Sequence, residues 1–201
     1  MALVDRVKAI LMTPKTEWAK IETEPATVGS LYTGYVIPLA AIPAIAGFIG
    51  MAVVGYGVLG TRLRIPMGTA LTWTAVEFCA ALVGVFVLGL IIDALAPSFG
   101  GQKNQIQALK VAVYSSTASW LAGIFAILPG LAILGIVGLY SIYLMFLGLP
   151  VLMKSPQDKA VGYTVVAIIA AVVLYFLVGY LASQLAGFGG GFGWGPNPIP
   201  H

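Results

Sequence analysis

The chain has 201 residues, of which 10 are basic, 7 are acidic and 60% are hydrophobic. An ordinary soluble domain contains roughly 25% charged residues, so a charged fraction of 8% excludes that class. The mean hydropathy of +1.00 indicates instead a protein embedded in lipid. The net charge of +3 comes without a basic patch interleaved with aromatic residues, so no nucleic-acid partner is predicted.

The first 30 residues carry eight charges and no apolar core long enough for a cleavable signal peptide. Apolar side chains nevertheless recur there at helical spacing, at Leu3, Val7, Ile10 and Leu11. This pattern predicts a short amphipathic helix lying in the membrane surface. Trp18 and Ile21, three residues apart, are expected to face the lipid interface. A docking surface for a cytosolic partner is the alternative interpretation of residues 1–30.

Four stretches of the chain are nearly free of charge and long enough to cross a bilayer, which takes about 20 apolar residues in a helix. They are residues 25–61, 65–102, 111–153 and 160–200, and the only charges within them are Glu77 and Asp93. The third stretch has 43 residues, enough for two spans, with a turn at Pro129-Gly130. We therefore predict an all-α integral membrane bundle of five transmembrane helices over residues 31–186, at about 31–59, 66–96, 108–127, 131–151 and 160–186.

The basic residues are distributed unevenly between the two sides of this bundle. Eight of the ten precede the first span or lie between spans two and three or four and five, and only Arg62 and Arg64 fall on the other side. Basic residues favour the cytoplasmic side. We therefore expect a cytoplasmic N-terminus and an external Gly- and Pro-rich tail over residues 187–201. Pro38 and Pro43 predict a kink in the first span.

Polar side chains near mid-membrane depth form the first candidate site. A charge at that depth costs several kcal/mol, and Glu77 lies near the midplane of the second span. Hydroxyl groups lie at similar depth in the third and fourth spans, at Tyr114, Ser115, Ser116, Ser119, Tyr140 and Ser141. This polar belt has two interpretations: interhelical hydrogen bonds that hold the bundle together, or the lining of a binding site or proton path.

Two further groups of residues are expected to act in packing. Asp93 and Lys110 lie at the cytoplasmic ends of spans two and three, where they are predicted to form an ion pair. Gly179, Ser183 and Gly187 are spaced by four residues, so they share one face of the fifth span. Such small-residue faces let membrane helices approach closely. This face packs either within the bundle or against another copy.

Sequence motifs for catalysis are absent. There is no histidine–carboxylate metal cluster, no GxxxxGK phosphate loop and no GxSxG nucleophile elbow. Cys79 is the only cysteine and His201 the only histidine, so an intrachain disulfide or a site built from several histidines is impossible. We therefore predict no cofactor, no metal site and no catalytic residue, and the chain is not expected to be an enzyme.

Four long runs of sequence resemble a known family: RVKAILMTPKTEW, IIDALAPSFGGQ, KVAVYSSTASWLAGIF and GLYSIYLMFLGLPVLMKSPQDKAVGYTVV. They are similar to the bacterial branch of the Ypt-interacting-protein (YIP) family, and the resemblance covers nearly the whole chain. It implies five helical spans and a cytoplasmic N-terminus, here in a bacterial inner membrane. Eukaryotic members associate with Rab-type GTPases in vesicle traffic, but the N-terminus of this chain is much shorter than theirs. The resemblance therefore implies no trafficking role and no catalytic residues.

Two functions follow as hypotheses. We favour a non-enzymatic membrane organiser or adaptor that binds lipid, another membrane protein or a second copy through its helix faces. The alternative is a small transporter or channel in which Glu77 and the polar belt line the path. The chain does not divide into two equal inverted repeats, which counts against the alternative. An intramembrane enzyme comes third.

Overall fold

A computed structural model describes residues 2–58 and 61–185 of the chain. Within them, five helical segments are long and apolar enough to cross a membrane, which confirms the predicted all-α membrane fold with five spans. We number them in chain order as spans 1 to 5: Val28–Val54, Met67–Phe99, Gln105–Ile127, Ile133–Met153 and Gln157–Tyr180. The predicted tail over residues 187–201 lies outside the described residues.

Two short helices precede the spans, α1 (Leu3–Met12) and α2 (Pro14–Thr23). Proline is well tolerated in the first turn of a helix, where its missing N–H leaves no bond unmade. Pro14 at the start of α2 therefore separates the two helices. They pack on each other and on the spans, so the N-terminal segment forms a helical hairpin that is part of the bundle.

Each span is helical, although only part of each is regular α-helix. The α-helical segments after α2 are Val28–Leu31, Ile37–Phe48, Met67–Leu95, Gln105–Ser115, Thr117–Ala122, Tyr140–Met153 and Ala160–Leu185. Tighter 3₁₀ turns are found at Ala96–Phe99, Gly123–Ile127, Pro129–Leu139 and Gln157–Lys159. Span 1 also contains two π-helical segments, Tyr32–Val36 and Ile49–Val54, on either side of the helix that carries Pro38 and Pro43. Each proline removes one backbone hydrogen bond from the helix, and wider π-helical turns are found beside such interruptions.

A short antiparallel β-hairpin connects spans 1 and 2. Strand β1 (Tyr56–Val58) pairs with β2 (Thr61–Leu63), with Gly57 opposite Arg62. The hairpin marks one face of the bundle. Spans 1, 3 and 5 begin at the other face, which we call the N-terminal face.

Span 3 lies at the centre of the bundle. Every residue from Ala108 to Ser115 is buried, and the surrounding contacts come from spans 1, 2 and 4 and from α2. Gly50 permits an especially close approach, because a Cβ at that position would lie 2.2 Å from the carbonyl oxygen of Ala126. Because several elements surround span 3, its polar residues contact different neighbours, according to their position around the helix.

The position of α2 corrects one expectation from the sequence. Trp18 and Ile21 were expected to face the lipid interface, but both are fully buried within the protein. The Trp18 ring lies against Gly148 of span 4, and a Cβ at Gly148 would come within 2.7 Å of it. A glycine in an otherwise apolar span leaves the space that the indole occupies, so the aromatic surface is buried against protein rather than lipid.

Candidate functional site

An open groove runs along the side of the bundle between spans 2, 3, 4 and 5. Its volume is about 510 Å³, and we call it the lateral groove. It is lined by serines, glycines and larger apolar side chains. Among them are Leu88, Ser115, Ser116, Ser119, Gly135, Gly138, Ser141, Met145, Ile168, Val172 and Tyr175. The structure thus brings the four predicted serines of the polar belt to one cavity.

The hydroxyl groups of three of these serines donate to backbone carbonyls or to another serine. Ser115 donates to the carbonyl of Val111, and Ser116 donates to that of Ala112 at 2.7 Å. Such bonds to the preceding helical turn satisfy a hydroxyl without a partner helix. The Ser119 hydroxyl lies 2.8 Å from Ser141 Oγ, which also accepts the Ser119 N–H at 3.0 Å. The groove consequently presents mainly apolar surface and few free hydrogen-bond donors.

The two tyrosines of the predicted belt lie on a different side of the bundle from the serines. The Tyr114 ring packs edge-on against Tyr35 at 4.7 Å and against Trp18 at 6.3 Å between ring centroids. The Tyr140 hydroxyl donates to the carbonyl of Leu11 at 3.1 Å. Neither tyrosine lines the lateral groove. The predicted belt therefore divides into serines that line the groove and tyrosines that hold the N-terminal helices.

A second polar region joins α1 and α2 to span 3. We call it the charged clamp and define it as Arg6, Glu17, Glu24 and Lys110. The Arg6 guanidinium donates to the carboxylates of both Glu17 and Glu24. Lys110 Nζ donates to the backbone carbonyls of Ile21 at 2.8 Å and Glu24 at 2.6 Å. The clamp therefore connects three separate elements of the fold.

The charges of the clamp balance inside the protein. Arg6 is 5% exposed, Lys110 2% and Glu17 not at all. Burial by itself lowers the pKa of the Arg6 guanidinium, but the hydrogen bond and charge of Glu24 and the charge of Glu17 more than offset this, so that pKa is raised. Arg6 thus pairs with the buried Glu17 and the partly exposed Glu24, while Lys110 is held by backbone carbonyls. Buried charges are stable only when they are paired and hydrogen-bonded in this way.

The clamp corrects the predicted ion pair between Asp93 and Lys110. In the structure Lys110 points toward the C-terminal end of α2, and its ammonium binds carbonyl oxygens there. Helix C-termini leave carbonyl groups without intrahelical partners, and a cation stabilises them. Asp93 lies apart from this contact, with its Oδ1 atom buried and without a hydrogen-bond partner. The expectation rested on depth in the membrane alone and did not include α2.

The remaining predicted residues do not join either region. Glu77 is exposed on the surface of the bundle and does not line the lateral groove. Gly179 has no heavy atom within 4 Å of where a Cβ would lie, so no helix packs closely there. The side chain of Ser183 and all of Gly187 lie outside the described residues. Among residues 2–58 and 61–185, no group of three histidine, cysteine or acidic residues could hold a metal.

Arg6, Glu17 and Trp18 are buried, which their sequence pattern did not predict. Their partners lie far along the chain, since Trp18 packs on Gly148 and the Arg6 guanidinium lies 5.8 Å from the centre of the Tyr114 ring. One sequence feature could have indicated them. Pro14 divides two short helices that carry Arg6 and Glu17 beside apolar residues, which is compatible with a hairpin closed by opposite charges.

Comparisons with known proteins give consistent results over most of the chain. A family model described as the Yip1 domain matches residues 8–181. The chain is also similar to the inner membrane protein YohC of Escherichia coli strain K12, with 27% identity over 181 residues, covering 88% of this chain and 93% of that protein. The YohC protein of Escherichia coli O6:H1 strain CFT073 matches with the same identity and coverage. No solved structure is significantly similar to this chain.

Proposed function

Because this chain belongs to the Yip1-domain family of membrane proteins, we propose that it is a non-enzymatic organiser of a bacterial inner membrane that binds an apolar membrane component in its lateral groove. The component is a lipid or a segment of another membrane protein. The observation that carries this proposal is the groove itself, an open cavity of about 510 Å³ lined by residues of spans 2, 3, 4 and 5.

The chemistry of the groove favours an apolar occupant. The hydroxyls of Ser115, Ser116 and Ser119 already donate within the protein, so they do not require a polar ligand. The rim carries exposed apolar side chains, with Val172 48% and Tyr175 73% exposed. An apolar surface in the hydrocarbon region is solvated by lipid chains or by protein. The groove therefore has the composition of a membrane-facing binding site.

The orientation in the membrane is part of the same proposal. The eight basic residues on the N-terminal side of the bundle, against two on the other side, support a cytoplasmic N-terminal face. The inner-membrane location of the YohC relatives supports placement in that membrane. In this orientation the charged clamp lies toward the cytoplasm, and the lateral groove lies toward the opposite side of the bilayer.

Photo-crosslinking in native membranes tests the groove directly. A photoreactive residue at Val172 lies in the groove, whereas Val173 is 61% exposed and outside it. The two positions are neighbours of the same residue type and nearly the same depth, so Val173 is a matched control. We expect a defined lipid or protein adduct at Val172 and only nonselective lipid adducts at Val173. Identical adducts at both positions would remove the groove from the proposed function.

A further inference from the structure

A second cavity lies beside the charged clamp, and we call it the N-terminal cavity. Its volume is about 290 Å³, and the residues that line it include Arg6, Glu24, Gly34, Lys110 and Tyr114. We infer that this cavity binds one singly charged phosphate group, either in the headgroup of a phospholipid or as free inorganic phosphate. The cavity shares no lining residue with the lateral groove, so this site does not depend on the proposed function.

Three side chains that line the cavity have hydrogen-bond donors that no described residue accepts. An ammonium group has three N–H donors, and Lys110 uses two of them on backbone carbonyls at the end of α2. A guanidinium has five N–H donors, and Arg6 uses three of them on the two carboxylates of the clamp. The Tyr114 hydroxyl makes no hydrogen bond to residues 2–58 or 61–185, although Tyr114 is only 9% exposed. Because an unpaired buried donor costs free energy, the cavity favours a ligand with several acceptor atoms.

The charge of the cavity lining favours an anion. Two cations, Arg6 and Lys110, and one carboxylate, Glu24, line the cavity, so the lining carries a net charge of +1. Glu17 does not line it, and one Glu17 oxygen lies 3.3 Å from the Lys20 ammonium. Both oxygens of the Glu24 carboxylate accept from Arg6. A singly charged anion therefore balances the lining, whereas a cation would add to the positive charge.

A phosphate group meets both conditions. A phosphodiester carries one negative charge, shared between two oxygens that accept hydrogen bonds. Lys110 donates to one of these oxygens and Tyr114 to the other in the arrangement that we infer. Hydrogen bonds to an ionised acceptor are roughly twice as strong as those between neutral groups, so they compensate for the loss of water around the phosphate.

The depth of the cavity places it near a source of phosphate groups. Glu24 precedes span 1, which begins at Val28, and Lys110 is five residues into span 3, or about 8 Å along the helix axis. The cavity therefore lies at the N-terminal face of the bundle. The phosphates of phospholipids lie in the headgroup region at each face of a bilayer, and basic pockets between transmembrane helices bind such headgroups.

Tyr114→Phe tests the site with a small change to the fold. It removes the hydroxyl and keeps the ring that packs on two other aromatic side chains. A substitution of Lys110 is less suitable, because its ammonium also holds the end of α2. Tyr32→Phe is the matched control, since it removes a hydroxyl that donates to the carbonyl of Leu82 and does not line the cavity.

A pair of glycines in span 1 gives a second test. A Cβ at Gly34 or at Gly47 meets no heavy atom within 4 Å, but only Gly34 lines the N-terminal cavity. Gly34→Leu therefore adds a side chain at the cavity, whereas Gly47→Leu adds the same side chain elsewhere on the span. Loss of binding in Gly34→Leu alone locates the ligand in this cavity.

Binding is measured by a scintillation proximity assay on the purified full-length chain and the four variants, in an uncharged maltoside detergent. Two radiolabelled probes are tested separately, inorganic phosphate and dihexanoyl phosphatidylglycerol. Unlabelled dihexanoylglycerol is the competitor, because it has the same acyl chains as the lipid probe but no phosphate. Binding of the lipid probe alone identifies a headgroup phosphate as the ligand, and binding of inorganic phosphate identifies the free ion.

We expect saturable binding of at least one probe to the parent chain, Tyr32→Phe and Gly47→Leu, with similar affinities. Tyr114→Phe should weaken this binding about tenfold or more, because it removes one hydrogen bond to a charged group. Gly34→Leu should weaken it as well, because its side chain occupies part of the cavity.

Three results would overturn the inference. They are no saturable binding of either probe, equal binding to the parent chain and Tyr114→Phe, and displacement of the lipid probe by dihexanoylglycerol, which would show that the acyl chains drive binding. None of them changes the crosslinking comparison of Val172 with Val173, so the two proposals fail separately.

Discussion

The charged clamp and the lateral groove both place polar side chains inside the bundle, but their hydrogen bonds run in different directions. In the clamp, Arg6 and Lys110 bind groups on other elements of the fold. In the groove, Ser115 and Ser116 bind carbonyls of their own helix, and Ser119 joins span 3 to span 4 through Ser141. Hydrogen bonds between elements hold those elements together, whereas hydrogen bonds within one helix leave its surface free to contact another molecule. The clamp therefore holds the fold together, and the groove remains open for an occupant.

The largest predicted effect concerns the clamp. Arg6→Met removes the buried cation of the fully buried Glu17 carboxylate and leaves it only the exposed Lys20 ammonium, 3.3 Å away. Loss of one partner of a buried ion pair costs about 3–5 kcal/mol. We expect a large fall in the Tm of the purified chain in detergent, with early proteolysis of the N-terminal segment. Lys8→Met is the control, since Lys8 is exposed, and its Tm should change little.

A double variant separates the charge from the packing of the clamp. Replacing both Arg6 and Glu17 by apolar residues removes the unpaired charge, so the Tm should recover part of the loss seen for Arg6→Met. A double variant as unstable as the sum of the single variants would contradict the role of this ion pair.

An intermediate effect is expected where α2 meets span 4. Gly148→Ala places a methyl group 2.7 Å from the Trp18 ring, and overpacking of a filled core costs about 1–3 kcal/mol. The measurement is again the Tm in detergent. Gly130→Ala serves as the control because that position has open space. A Tm for Gly148→Ala equal to that of the control would show that Trp18 does not occupy this position.

The smallest effect is expected in the groove. Ser119→Ala removes the hydroxyl contact with Ser141, and one hydrogen bond contributes about 0.5–1.5 kcal/mol. We expect a modest fall in Tm and unchanged photo-crosslinking from Val172, because the Ser119 hydroxyl is bonded within the protein and does not select the occupant. Loss of the Val172 adduct in Ser119→Ala without loss of stability would instead show that the serine binds the occupant directly.

Several features of the fold were predictable from the sequence because they depend on local composition. Stretches nearly free of charge and a Pro-Gly turn predicted five spans in an all-α bundle, and the structure confirms that number within residues 2–58 and 61–185. The family prediction is confirmed as well, by a match over residues 8–181. The length of an apolar stretch and a continuous motif depend on residues that are adjacent in the sequence, so both can be recognised without the three-dimensional structure.

The arrangement around each helix could not be predicted in the same way. Tyr114 and Ser116 are two residues apart, but one contacts Trp18 and the other lines the groove. Depth in the membrane placed them in a single belt, although positions two residues apart on a helix do not share a face. The predicted ion pair between Lys110 and Asp93 also relied on depth in the membrane alone. Depth does not show that the C-terminal end of α2 lies beside Lys110.

The central claim is that the lateral groove binds an apolar membrane component, and one measurement tests it most directly. A photoreactive residue at Val172 is compared in native membranes between the parent chain and two variants with a new aromatic ring. Gly135→Phe places the ring in the groove, and Gly130→Phe adds the same side chain outside it. We predict a defined adduct in the parent chain and in Gly130→Phe, and its loss when Gly135→Phe fills the groove. An adduct that persists unchanged in Gly135→Phe would contradict the claim.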